Sequence, residues 1–519
     1  MPFLWYNILM KNENTDMDFA AENASLKEEN LSLKTEITEH KQLIQWLMEQ
    51  LKLSKRRQFG VSSEQSDWEQ TSFFNEAEVT ANAAVPEPEL ETVKEHRRKK
   101  RTNADRMPPD LPVEVVEHKL PEQDRACPEC GHDMHVMGHD TREELKLIPA
   151  KAVIVRHVSS VYACRCCEKT NDYVPIEKAP MPQPVIKGSF ASPEAIAHIA
   201  VQKFVMASPL YRQEQEWARN GIQLSRQTMS NWLVRVSRDW LRPIYEELHR
   251  RLCEMDVAHA DETTLQVLKE DGKPAQSKSY MWLYRTGGDA ERPIVLYEYQ
   301  QNRSHEHPKE FLKGFKGYLH ADGYDGYHNL PETITVVGCW AHLRRKFDEA
   351  LKTLPEKNRK GTKAWTGLEF CNKLFHIEKQ LVLLSPEKRK AEREIRSRKV
   401  IADFYAWIGV TTVLPKSLLG QAVNYAISQK KYLENYLKDG RLEISNNRAE
   451  RSIKPFVIGR KNWLFSNTPN GATASAVFYS LIETAKENGL NPHTYLTHVF
   501  RTAPNLPGGK GIEELLPFK

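Results

Sequence analysis

No apolar run in this chain approaches the roughly 18 to 20 residues that a membrane span needs, so a membrane-spanning protein is excluded. The opening MPFLWYNILM is apolar but lacks the basic flank of a secretory signal and runs straight into polar sequence, which places the chain in the cytoplasm. Because that opening precedes any periodic pattern, Met10 and Met17 are alternative translation starts. Charge of one sign is also scarce: a net +5 does not by itself call for a nucleic-acid partner. A calcium loop is missing where one is suggested. In HADGYDGYHNL, counting from Asp322 puts Tyr324, Gly326 and Thr333 where an EF-hand needs oxygen ligands.

What is present is a soluble composition, 40% hydrophobic and 28% charged, over 519 residues. That is too long for one ordinary core, so the reading is a multidomain α+β protein. Leu26, Asn30, Leu33, Ile37, His40, Ile44, Leu47 and Leu51 alternate spacings of four and three, a heptad seam flanked by Glu and Lys. Residues 1–72 are therefore expected to carry a self-associating coiled coil, the alternative being an amphipathic helix lying on its own protein. Asn30 at an a position favours a parallel dimer, and His40 at a d position weakens the seam. Residues 73–112 read as a linker; its run Arg97, Arg98, Lys99, Lys100, Arg101 is either solvated or tracks along phosphates.

Residues 113–180 hold CPEC at Cys127 to Cys130 and CRCC at Cys164 to Cys167, separated by a strand-like segment. Two C-x-x-C knuckles predict a zinc ribbon, with Cys127, Cys130, Cys164 and Cys167 closing a tetrahedral structural site. Cys166, His132, His135 and His139 compete as ligands. Disulfides do not suit a reducing cytoplasm, and a thioredoxin-type redox site needs only one pair. Cys253, Cys339 and Cys371 lie in apolar stretches and read as buried fillers.

Residues 181–252 have helical periodicity, and ARNGIQLSRQTMSNWLVRV reads helix, Gly turn, Ser225 as N-cap, helix. This is a helix-turn-helix outline, which plain helical cores share. In a DNA-binding version Arg226, Gln227 and Asn231 project from the start of the second helix.

From residue 253 the pattern becomes three strands (DVAHADET, SYMWLYR, PIVLYEY), a helix, a strand GYLHADGY, a further strand TITVVGC and a helix AHLRRKFDEAL. This is the order of a ribonuclease H-like α/β core, assigned to 253–465 with a charged helical insertion at about 353–440; 466–519 is a C-terminal helical region. A right-handed crossover sets the fourth strand parallel beside the first, so strands ending on Asp261 and Asp322 lie side by side. Two carboxylates held that close call for a bridging cation, and hard oxygen ligands suit Mg²⁺. His259 and His320, two residues earlier, share the faces of the acids and read as packing or indirect support. A two-metal site needs a third acid. Glu450, in the early turns of a helix starting near Asn447 with Ser445 as N-cap, is one candidate; Glu443 and Glu483 compete.

DET at Asp261, DGYDGY at Asp322, CWAHLRRKF at Cys339, and EISNNRAERSIKP followed by IGRKNWLF resemble the DDE transposases of the bacterial insertion-sequence sixty-six family. FGVSSE, PLYRQE and SLIETAKENGLNPHTYL extend the resemblance over most of the chain. The resemblance implies a catalytic triad of Asp261, Asp322 and Glu450 holding two Mg²⁺ (Mn²⁺ substituting), end cleavage, and strand transfer. Its partners are the element's terminal inverted repeats, target DNA, a second copy through the zipper, and accessory proteins of the same element, in a cytoplasmic, nucleoid-associated setting. Arg448, Arg451, Lys454, Arg460 and Lys461 are then phosphate contacts, and Trp463 a platform for an unpaired base. One departure stands out: Ser445-Asn446-Asn447 replaces the family's common Asp-Asn-Asn. Gly323 is read as letting the chain turn away from the ions, and Asp325 as shaping the loop. The competing readings are a non-catalytic DNA-binding regulator and a metal-dependent nuclease without strand transfer. Freshly purified, reduced protein is expected to carry ribbon zinc by elemental analysis; near-zero zinc would contradict the ribbon.

Overall fold

The structure, a computed structural model, describes residues 23, 25–44, 47–49, 51, 152–163, 176–506 and 511–518. The four ribbon cysteines, their competing ligands and the basic run at 97–101 lie outside the described residues. The chain divides into two compact units, residues 82–181 and the remainder. In the smaller unit, β1 (Val161–Ala163) and β2 (Ile176–Lys178) form an antiparallel pair, and Ser159 Oγ donates to Ala179 O at 2.7 Å.

In the larger unit residues 25–44 are helical. The seam residues Leu26, Leu33, Ile37, Ile44, Leu47 and Leu51 are exposed. Farther on come α1 (Pro193–Phe204), α2 (Leu210–Arg219), α3 (Arg226–Val236) and α4 (Arg242–Cys253). Ser192 caps α1 by accepting from Ala195 N at 3.1 Å, and Ser225 caps α3 by accepting from Thr228 N at 3.1 Å. Between α2 and α3 the chain turns at Gly221, whose φ of +77° suits a residue without Cβ.

A five-stranded sheet follows, in the order β5-β4-β3-β6-β7: β3 (Val257–Gln266), β4 (Lys278–Thr286), β5 (Val295–Gln300), β6 (Gly317–His320) and β7 (Ile334–Val337). The first three strands are antiparallel neighbours; β6 joins β3 in parallel after α5 (Glu306–Phe311), and β7 joins β6 in parallel. Two of the strand limits differ from the sequence reading. β3 does not end on Asp261 but runs on to Gln266 against β4, while β6 stops at His320, two residues short of Asp322. The β3–β6 ladder is short because the Asp-Gly turn after His320 pulls the chain away, whereas β4 gives β3 a full-length partner.

After β7 come α6 (Trp340–Lys352) and the insertion helices α7 (Lys363–Leu381), α8 (Pro386–Glu392), α9 (Arg398–Val410), α10 (Leu418–Ser428) and α11 (Lys430–Leu433); then α12 (Asn447–Trp463), α13 (Pro469–Glu487) and α14 (Pro492–Thr502) complete the chain. One core joins Ile196, Leu233 and Leu248 of the early helices to Leu283, Tyr297 and Leu319 of the sheet and to Leu481 and Leu496 of the last two helices. A second core joins Trp340 and Phe347 to Leu374, Phe404 and Val423 of the insertion. Helix α13 also covers the edge of β5: Ser480 Oγ accepts from Tyr297 N at 2.7 Å, and Thr484 Oγ1 accepts from Val295 N at 3.0 Å. Backbone donors that would invite another strand are thereby satisfied.

The insertion returns the chain to the sheet through a strap at residues 432–446. Gly338 N donates to Tyr432 O (2.9 Å), Asn435 Nδ2 to Val336 O (2.7 Å), and Trp340 N to Ile444 O (3.1 Å). The fully buried Arg393 holds the strap from the other side, donating to Tyr436 O, Asp439 O and Leu442 O while pairing with Glu378 at 2.6 Å. Arg393→Ala would leave Glu378 and the strap carbonyls without these donors, so a loss of about 3–5 kcal/mol is expected in denaturant unfolding. An Arg393→Met/Glu378→Leu pair is expected to cost less.

Candidate active site

His259 of β3 is the register partner of His320 of β6, and this is the last pair of their parallel ladder. Asp261 stands two residues beyond His259 on β3 and Asp322 two residues beyond His320, and the Asp322 charge is felt at Asp261. Asp322 follows the strand end, where its Oδ1 accepts from Tyr324 N at 2.9 Å, while Asp261 Oδ1 accepts from Glu262 N at 2.8 Å. Burial pushes Asp261 well above the usual carboxylate range, and the charges of Glu262, Glu450 and Asp322 push it further. Three chain segments thus bring their acids within electrostatic reach of one another.

Beneath the acids the two histidine rings stack, with centroids 4.2 Å apart and planes 12° from parallel. Both are fully buried. Burial pushes His259 down to about 3 and His320 well below its ordinary value, so both are neutral near pH 7. Asn446 fixes the arrangement: its Oδ1 meets His259 Nδ1 at 3.0 Å, its Nδ2 donates to Ala260 O at 2.8 Å, and its backbone N donates to Cys339 Sγ at 3.2 Å. One buried side chain therefore ties β3 to the start of α12, and its backbone ties in Cys339, the N-cap of α6. This corrects the assignment of Ser445 as N-cap. Asn446 occupies that position and makes no side-chain cap bond, because its amide is turned to β3.

Glu450 lies buried in the first turn of α12, with Oε1 3.5 Å from His342 Nε2. The competing acids are paired with basic side chains. Glu443 accepts from Arg448 Nε at 2.6 Å, and Glu483, on α13, pairs with Lys486 at 2.9 Å. Of the three candidates, Glu450 is the one among the charges felt at Asp261. Cys339, read from sequence as an apolar filler, is buried but sits with His342 and Glu450 so that one ligand atom from each lies within 4.8 Å of the others. The spacing Cys-x-x-His at a helix start was the signal for this pair, and apolar flanks hid it.

Glu262 points to a separate network. It takes two bonds from Arg303, one at 2.8 Å through Nε, and a 2.5 Å bond from Tyr327 OH. Arg303 also lies over the Tyr324 ring at 3.8 Å, and Tyr324 OH donates to Arg303 O. The two tyrosines of DGYDGY thus lock the loop that carries Asp322. Asp325 points outward, its side chain 94% exposed and 3.4 Å from His328. Gly323 has a reason the sequence did not disclose: a Cβ there would lie 2.7 Å from the Tyr425 ring of the insertion.

The basic side chains expected around the acids are distributed along α12. Arg448 is paired with Glu443, Arg451 and Lys461 are exposed, Lys454 is half-buried, and Arg460 donates to Thr263 and Thr264 of β3 at 3.3 and 3.2 Å. Trp463 is not an open platform. Lys203 Nζ sits 4.4 Å from its ring, which packs on Tyr479 and against Gly459, because the end of α12 is drawn onto the core. On α3, Arg226 is exposed and Gln227 Nε2 donates to Asn231 Oδ1 at 3.0 Å, away from the acids' own elements.

Four family descriptions match the chain: "Transposase IS66 family" at residues 188–474, "zinc-finger binding domain of transposase IS66" at 124–168, "Transposase C of IS166 homeodomain" at 46–116, and "IS66 C-terminal element" at 480–518. The zinc-finger match contains Cys127, Cys130, Cys164 and Cys167. Two uncharacterized Sinorhizobium fredii proteins, y4qI and y4jD, are 31% and 30% identical, over 78% and 85% of this chain and 75% and 86% of their own lengths. A solved Drosophila P element transposase strand transfer complex aligns at 12% identity over 57% of this chain and 92% of that one, with a TM-score of 0.31, too low to support an argument.

Asp261→Asn removes one charge from a crowded, partly buried group. The metal-free variant is expected to melt roughly 2–4 °C higher than the parent and to lose the further rise on adding Mg²⁺, as read by calorimetry. A lower metal-free Tm would contradict the crowding.

Proposed function

The chain belongs to the IS66 transposase family, and from that premise we propose that it cleaves the ends of a mobile element and joins them to target DNA at a divalent-metal site made by Asp261, Asp322 and Glu450. The observation that carries this reading is that acids from β3, the loop after β6 and the first turn of α12 come within electrostatic reach of one another at Asp261. Sheet order β5-β4-β3-β6-β7 with two parallel steps supports a ribonuclease H-like core.

The residues fit hard cations: they offer carboxylate oxygens, and their mutual repulsion is relieved by added positive charge. When bound, Mg²⁺, or Mn²⁺ in its place, supplies Lewis-acid activation of water and of the phosphodiester. The chain's own residues do the rest. The stacked neutral histidines and Asn446 hold β3 and α12 at a fixed separation. The Glu262–Arg303–Tyr327 contacts keep the Asp322 loop in place. Arg451, Lys454 and Lys461 hold the DNA backbone, and Arg448 joins them by exchanging Glu443 for phosphate. Arg226, Gln227 and Asn231 on α3, together with the zinc ribbon, read the terminal repeats. Pairing of the exposed seam at residues 26–51 with a second copy brings two ends together.

A Mg²⁺-dependent assay on DNA carrying the flanking inverted repeats tests this. Asp322→Asn is expected to lower end cleavage and strand transfer by at least about a thousandfold while leaving DNA binding intact. Asp325→Asn is expected to stay within a fewfold of the parent. Equal activity of the parent and Asp322→Asn refutes the assigned site, and cleavage without joining makes the protein a nuclease.

A further inference from the structure

Cys339, His342 and Glu450 do not form the donor set that a hard cation selects. Cys339 is the N-cap residue of α6 and His342 lies one turn on, so the helix presents sulfur and imidazole to the same side. Glu450 meets them from the first turn of α12. His342 Nε2 and Glu450 Oε1 are 3.5 Å apart, within the about 3.3–3.8 Å that separates ligands of a tetrahedral zinc ion. The sulfur must close a remaining gap, since one ligand atom from each of the three residues lies within 4.8 Å of the others. Cys339 stands at the N-terminus of α6, and its Sγ accepts from the Asn446 N–H at 3.2 Å. Sulfur and imidazole suit zinc-class ions, while Mg²⁺ keeps to oxygen.

We propose that Cys339, His342 and Glu450 bind one thiophilic divalent ion of the zinc class, at a site separate from the cysteine ribbon. The ion takes Glu450 away from Asp261 and Asp322. Binding of this ion and use of the triad by hard cations are therefore mutually exclusive, and the site acts as a metal-sensitive brake. The existence of the site stands on the three side chains alone; the brake rests on the function proposed above.

The test uses the full chain with its ribbon zinc in place. After equilibrium dialysis against micromolar Zn²⁺, elemental analysis is expected to find about one more zinc per chain in the parent than in Cys339→Ala or His342→Gln. Asp322→Asn is expected to keep that extra zinc. Replacement by Co²⁺ should add a sulfur-to-cobalt charge-transfer band in the parent that Cys339→Ala lacks. Equal zinc content in the parent and both variants overturns the site. Loss of the extra zinc in Asp322→Asn also overturns it, because the ion would then sit among the hard acids. If the protein proves to have no Mg²⁺-dependent cleavage, the function proposed above fails while the zinc count still decides the site. Where cleavage is present, added Zn²⁺ is expected to inhibit the parent at least about tenfold more strongly than Cys339→Ala; equal inhibition overturns the brake.

Discussion

Like charges held close together are the constraint from which the rest of this molecule is best understood. Asp261, Asp322 and Glu450 come from segments far apart in the chain, and burial together with the charges of Glu262, Glu450 and Asp322 makes Asp261 harder to ionise. Left alone they would separate. They are held instead by groups with no net charge: a stacked pair of neutral histidines beneath the strands, and an asparagine whose amide and backbone reach β3 and Cys339. Neutral scaffolding is the economical choice here, because a fixed cation in that position would compete with the divalent metal proposed for these acids.

A second tier of contacts keeps this scaffold in register. The strap at residues 432–446 fastens the far end of the insertion to β7 and α6, and Arg393 anchors the strap from within the insertion. Tyr425 of the insertion meets Gly323 beside Asp322. The insertion thus supports both the loop that carries the second acid and the segment that leads to the third. Its charged surface sequence gives no hint of that role.

The alternation of strands and helices, the parallel return of the fourth strand and the Asp-Gly turn were legible because each depends on local patterning and on connection rules. Asp261 and Asp322 could be paired on that basis. Glu450 could not be separated from Glu443 and Glu483 by spacing, since the choice depends on how a helix packs after a long insertion. Asn446 was invisible for a related reason: Ser445 and Asn446 are both good caps, and only the tertiary structure turns one of them to His259. Cys339 is buried, as its apolar neighbours implied, and what they hid is its place beside His342 and Glu450. Basic neighbours made Trp463 look exposed to nucleic acid, while its ring packs on Tyr479.

The early helices, the sheet and the last two helices fill a single core. The residues that would read a terminal repeat therefore stand on the same hydrophobic foundation as those that would cut it. Exchanging the α1–α4 segment for that of a relative would therefore also require repacking the floor of the sheet that carries Asp261. Under the proposed function, divergence in recognition would be channelled into exposed positions such as Arg226, and an element's ends and its protein would change together in small steps.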